Sequence, residues 1–115
     1  MLVKRLSEAQ PYEAPRHYDM RSLRLQGFEP GGPTVAWVGL SHFQPGGGAS
    51  DSASPLERVY VVLSGAMTVI AGGQEATLGP LDSCCIPGGE SRQIRNAGAD
   101  VATMLVIIPY APATA

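Results

Sequence analysis

The sequence predicts an all-β fold, a single domain built as an antiparallel barrel or sandwich of short strands. Three observations predict it. Glycine and proline are dense, 14 and 10 residues in a chain of 115, which favours frequent turns over long helices. Short runs rich in valine, isoleucine and aromatic residues recur, with turn signals roughly every eight to twelve residues between them. No segment carries the apolar periodicity of an amphipathic helix.

Taken in order, residues 1–6 (MLVKRL) are expected to form a short edge strand. Residues 8–17 contain Pro11 and Pro15 and read as an extended arm. Residues 20–26 (MRSLRLQ) form a strand, followed by the turn-rich GFEPGGP. Residues 34–43 (TVAWVGLSHF) form a strand because β-branched and aromatic side chains suit a pleated, half-buried surface. The stretch 45–55 (PGGGASDSASP) has no apolar anchor and is expected to be a long loop. Residues 59–63 and 67–71 are strands joined at Ser64-Gly65, and Gly72-Gly73 turns the second into a returning strand at 75–78. Strands at 82–86, 91–96 and 101–109 complete a set of nine or ten, and the terminal APATA is expected to fray. The division is an N-terminal arm with edge strands at 1–33, a barrel core at 34–109 and a tail at 110–115.

Composition excludes several classes. The formal net charge is −2 and there is no basic run, which argues against nucleic acid. No apolar stretch is long enough for a membrane helix. MLVKRLSEAQ lacks an apolar signal core, so a cytoplasmic location is expected. Cys84 and Cys85 are adjacent, would point to opposite faces of a strand, and are expected to be small buried residues.

Spacing then adds a resemblance. Gly46, Ser52, Ser54, Arg58 and Gly65 keep the intervals of the first cupin motif, with Ser52 and Ser54 at its two histidines and Arg58 at its glutamate. Pro87, Gly89 and Asn96 match the second motif, with Leu81 at its first glycine and Arg92 at its histidine. The chain thus resembles a small single-domain cupin whose metal ligands are substituted. The resemblance implies a double-stranded β-helix (jelly-roll) barrel, usually a homodimer, with a ligand pocket inside. Cupins with intact ligands bind iron, manganese, nickel or zinc. Guanidinium has no lone pair to offer a metal and a neutral hydroxyl is a poor ligand, so no metal and no other cofactor is expected here.

If Arg58 and Arg92 both project inward, two positive charges stand where a metal dication would be. Buried unpaired guanidinium is costly, so an acidic partner is expected. Glu57, Glu90 or Asp82 could supply it as a salt bridge, or a small anionic ligand such as a carboxylate could. Tyr60 shares a face with Arg58 by strand alternation and is a further candidate for the pocket wall. His42, at the end of an apolar strand, and His17, in the arm, are candidate proton carriers.

Three functions fit these residues. The first is a metal-free barrel that binds a small anion. The second is a cofactor-free lyase or isomerase acting on a small carboxylate or cyclic carbonyl compound. There Arg58 and Arg92 hold the anion and His42 or His17 moves the proton. The third is a metal enzyme with a nonstandard ligand set drawn from His17, His42 and Glu57.

Overall fold

Strands form where apolar alternation is bounded by turns. A computed structural model, which describes residues 1–112, shows nine of them. They are β1 (Gln10–Pro11), β2 (His17–Gln26), β3 (Ala36–Ala53), β4 (Arg58–Ser64), β5 (Met67–Ala71), β6 (Gln74–Leu78), β7 (Ser83–Ile86), β8 (Ser91–Arg95) and β9 (Ala102–Pro109). The sheet order is β6-β5-β8-β3-β9-β4-β7, with β2 alongside β3 and β1 on β2. The sheet curls into a nearly closed barrel, the jelly-roll form expected from the sequence. No helix among the described residues is long and apolar enough to cross a membrane.

β3 organises the barrel. Its first half pairs with β9, from Ala36↔Pro109 to Phe43↔Ala102, and with β2 on the other side. Its second half crosses to β8, from Gly48↔Arg95 to Ala53↔Ser91. Between Ala49↔Ile94 and Ser52↔Arg92, β3 takes one more residue than β8. Such a bulge shifts which side chains point inward. Trp37 and Ser41 line the interior before it, and Ser52 and Ser54 line it afterwards.

The stretch 45–55, expected as a loop, is therefore strand as far as Ala53. Two of its glycines, Gly47 and Gly48, serve close packing rather than turning. A Cβ on Gly47 would stand 2.3 Å from the Asp19 carbonyl oxygen, and one on Gly48 would stand 2.1 Å from that of Ile94. Gly72 and Gly73 do turn the chain: φ of 58° and 73° suits a two-residue hairpin between β5 and β6.

The expected edge strand at 1–6 is absent. Leu6–Glu8 instead form a 3₁₀ turn, closed by the Arg5 backbone N–H donating to Glu8 Oε1 at 3.0 Å. Pairing with β2 begins only at β1, where Pro11 has no N–H to extend a ladder. Of the cysteines expected to be buried, Cys84 is half-buried against the core and Cys85 is exposed. Both lie on β7, and alternation along it turns Cys84 toward the core and Cys85 toward solvent. Tyr110, assigned to the tail, is anchored: its hydroxyl donates to the Pro33 carbonyl at 2.9 Å and accepts from the Phe28 N–H at 3.1 Å. The last three residues of the expected frayed end lie outside the described residues.

The core is the inward face of alternate positions. Tyr60 and Val62 of β4, Met67 and Val69 of β5, Ile94 of β8 and Met104 of β9 meet Phe43 of β3. Asn96 closes the end of β8: its Nδ2 donates to the carbonyls of Phe43 at 3.1 Å and Asp100 at 2.7 Å, and its Oδ1 accepts from the Gly98 N–H at 3.0 Å.

Candidate functional site

Alternation on β4 and β8 sends Arg58, Tyr60, Arg92 and Ile94 into the barrel. They share a cavity of about 440 Å³ with Ser52 and Ser54 of the β3 region and with Met104, Val106 and Ile108 of β9. Arg58 and Arg92 are each only 4% exposed.

Arg92 is well held. Its Nε donates to the Tyr60 hydroxyl at 2.7 Å, and its Nη1 donates to the Ser50 carbonyl at 3.1 Å and to Ser52 Oγ at 3.2 Å. Arg58 is not. Its Nη2 reaches the Glu90 carbonyl at 3.3 Å, and its buried Nε has no hydrogen-bond partner among the described residues. Burial disfavours the charged form of Arg58, Tyr60 partly offsets this, and the like charge of Arg92 adds to it.

Neither arginine has a protein carboxylate among the described residues. Among the described residues the ion pairs are Lys4–Glu29 and Arg95–Glu75. The acids expected from the sequence point elsewhere: Asp82 accepts from the Gly79 N–H, Glu57 is exposed, and Glu90 offers Arg58 only its backbone oxygen.

The donor set does not fit a transition metal. Two hydroxyls and two guanidiniums stand at the places of the cupin ligands. No group of three His, Cys, Asp or Glu side chains among the described residues is placed to hold an ion. The alternative set is dispersed: His17 is in the cavity, Glu57 is exposed, and His42 is on the other face of β3.

His42 is thus corrected as a proton carrier for this cavity. Strand alternation gives the inward face to Trp37 and Ser41 and turns His42 outward, where its Nδ1 lies 3.1 Å from Thr103 Oγ1.

His17 does reach the site. The arm folds across the barrel opening, and Tyr12, Glu13, Pro15 and His17 all line the cavity. It is tied down by the Tyr12 N–H donating to the Ser22 carbonyl at 3.1 Å and the Ser50 N–H donating to the Arg16 carbonyl at 3.0 Å. The His17 ring stacks on Phe43 at 6.4 Å, and its Nδ1 lies 2.8 Å from the Pro15 carbonyl. A carbonyl only accepts, so Nδ1 carries the proton and Nε2 keeps a lone pair. Burial pulls the His17 pKa below its ordinary 6.5, and the charges of Arg92 and Arg58 pull the same way against the Pro15 hydrogen bond.

This has a pH consequence. The unfolded chain takes a proton on His17 more readily than the folded one. The stability held above pH 6.5 is therefore lost as pH falls from 6.5 toward the lowered folded value. His17→Gln is expected to flatten that part of the melting-temperature profile between pH 8 and 5. Parallel profiles for the variant and the parent would contradict it.

The sequence reading missed Arg24. Its guanidinium carbon lies 4.8 Å from the Tyr12 ring centroid, 4.6 Å from Phe28 and 5.2 Å from Trp37, and it lines the same cavity. The available signal was alternation on β2, which puts Arg24 on one face with Met20 and Ser22.

The chain belongs to the cupin domain family, whose model matches residues 39–108. It is 42% identical over 110 residues to beta-D-galactosidase Rv1717 of Mycobacterium tuberculosis, covering 96% of this chain and 95% of that protein. Its fold is similar to that of the polyketide cyclase RemF from Streptomyces resistomycificus, with a TM-score of 0.80 at 19% identity over 94% of this chain and 80% of that one. It is likewise similar to an RmlC-like cupin from Shewanella frigidimarina, with a TM-score of 0.77 at 15% identity over 95% of this chain and 90% of that one. At such identities these structural likenesses speak for the fold alone.

Proposed function

We propose that this cupin binds a small anionic molecule, a carboxylate, inside the barrel between Arg58 and Arg92, without a resident metal. One observation carries the reading: two buried guanidiniums share a cavity, neither has a protein carboxylate among the described residues, and Arg58 Nε has no partner. A buried ion without a counter-charge costs several kcal/mol. A carboxylate matches the guanidinium fork in two parallel hydrogen bonds. Tyr60, held by Arg92 Nε, fixes the direction of that fork. His17, neutral with a free Nε2, is the group suited to take a proton from a ligand so held, which is the cofactor-free lyase or isomerase version of the same site.

The relative named a galactosidase favours a second reading, hydrolysis of a β-D-galactoside in this cavity. Glycosidases ordinarily use two carboxyl groups flanking the scissile bond. Among the described residues Glu13 is the one carboxylate lining the cavity, so hydrolysis would have to draw on Glu13 together with His17.

Thermal denaturation with a panel of small carboxylates, alongside an aryl β-D-galactoside assay on chelator-treated protein, separates the two. A ligand that binds the native state raises the melting temperature with its concentration. At least one carboxylate is expected to do so, and Arg92→Met is expected to abolish the response. Galactoside cleavage that is lost in Glu13→Gln, with no carboxylate raising the melting temperature, would replace the anion reading with the second.

A further inference from the structure

The charge lining the cavity exceeds what one carboxylate needs. Four of the chain's eight Lys and Arg residues line it (Arg16, Arg24, Arg58 and Arg92), against Glu13 alone of ten Asp and Glu residues. The chain as a whole is net negative, so the cations are concentrated on this one surface.

Their arrangement is not a single cluster. Register places Arg24 of β2 opposite Gly39 of β3, Gly39 opposite Val106 of β9, and Val106 opposite Tyr60 of β4. Three strand spacings thus separate Arg24 from Tyr60, about 14 Å along the curved sheet. Tyr60 is the residue that meets Arg92. Arg24 therefore stands on a different wall from the Arg58–Arg92 pair. The wall between them carries Val106 and Ile108, which are apolar.

Arg24 is also held ready. Gly39, lacking a side chain, leaves the room that the Tyr12 hydroxyl occupies; a Cβ there would stand 2.4 Å from it. Tyr12, Phe28 and Trp37 surround the guanidinium with ring faces, which fixes its position without neutralising it. Its buried Nε has no hydrogen-bond partner, and it forms no ion pair among the described residues. Glu29, the acid whose carboxylate feels the Arg24 charge, is held by the Gly27 N–H at 2.9 Å and by Lys4 at 3.0 Å.

We propose that the ligand is a dianion, a dicarboxylate with an apolar midsection: Arg58 and Arg92 hold one carboxylate, and Arg24 holds the other. This rests on the anion reading above and narrows it to a substrate class. The aromatic walls at Trp37 and Tyr12 and the aliphatic wall at Val106 and Ile108 accept the midsection. Glu13, at the opening, disfavours a third anionic group beside it.

The test is calorimetric titration of the full chain with straight-chain dicarboxylates from malonate to suberate and with monocarboxylates of matching length. At least one dicarboxylate is expected to bind about tenfold tighter than its monocarboxylate counterpart, the increment of one added charge-assisted contact. Arg24→Gln is expected to erase that advantage, weakening the dicarboxylate about tenfold more than its monocarboxylate counterpart. Arg24→Lys, which keeps the charge within the aromatic surround, is expected to retain part of it. Equal affinity for the two series in the parent protein would overturn the proposal while leaving the anion reading in place. So would an equal loss for both series in Arg24→Gln. Binding of neither series removes the anion reading and this inference with it. If Arg24→Gln fails to fold, the parent comparison and Arg24→Lys still decide.

Discussion

Arg58→Met is expected to stabilise the ligand-free protein while destroying its affinity for small carboxylates. The two effects have one cause. Arg58 is 4% exposed, its Nε is unpartnered among the described residues, and its hydrogen bond to the Glu90 carbonyl is long at 3.3 Å. Folding thus desolvates a charge and returns little. Its neighbours on the same face, Tyr60 on β4 and Ile86 across on β7, can accept an unbranched apolar side chain. Replacing buried ions by packed apolar groups is often stabilising, so a gain of about 1–2 kcal/mol is expected. At this chain length that is a rise of several degrees in melting temperature. Binding moves the other way. Removing one partner of a buried charge pair costs about 2–5 kcal/mol, or about 30-fold to several thousand-fold in affinity. Thermal denaturation and calorimetry of the same variant read both. A variant that is less stable and still binds would make Arg58 a structural group and end this account of it.

Gly48→Ala is expected to be among the most damaging single methyl additions. Its Cβ would lie 2.1 Å from the Ile94 carbonyl oxygen and 2.9 Å from the Arg95 Cα, both backbone atoms that cannot swing away. Relief requires β3 and β8 to part where Gly48 pairs with Arg95, one residue before the bulge that sets Ser52 facing Arg92. The cost is expected near the upper end for overpacking, about 3 kcal/mol. That is a large share of the stability of a small domain. Gly46→Ala is the control. Its Cβ meets nothing within 4 Å, but φ is +83°, so a smaller cost of about 1 kcal/mol is expected from backbone strain alone. Chemical denaturation of both variants checks the order. Equal costs would mean that close packing of β3 on β8 is not what Gly48 serves.

Those two glycines also mark the limit of what could be read beforehand. A run such as PGGGAS looks the same whether glycine is there to turn or to let another backbone pass close by. The Gly72-Gly73 hairpin was legible because regular alternation flanks it on both sides. The long β3 was not, because its bulge between Ala49 and Ser52 depends on pairing with β8, which is distant in sequence. The inward face of β4, with Arg58, Tyr60 and Val62, followed from simple alternation. The convergence of Ser52 with Arg92 followed from motif spacing and stands as a register pair. The facing of His42 was undecidable locally, since both sides of its strand are apolar and only the partners β2 and β9 select one. Arg24 was overlooked because its surroundings, Tyr12, Phe28 and Trp37, come from separate segments that only the fold brings together.

Anion binding between the two arginines can be watched directly at their side chains. In the full chain, the Nε–H resonances of Arg58 and Arg92 can be followed by ¹⁵N-resolved NMR during titration with benzoate, each assigned through its methionine variant. Both signals are expected to move saturably with a single shared dissociation constant. Arg58 should move further, because its Nε begins without an acceptor among the described residues whereas that of Arg92 already donates to Tyr60. If benzoate binds while both signals stay still, or if no concentration of it moves them, the barrel does not hold anions through these arginines and the proposed function is wrong.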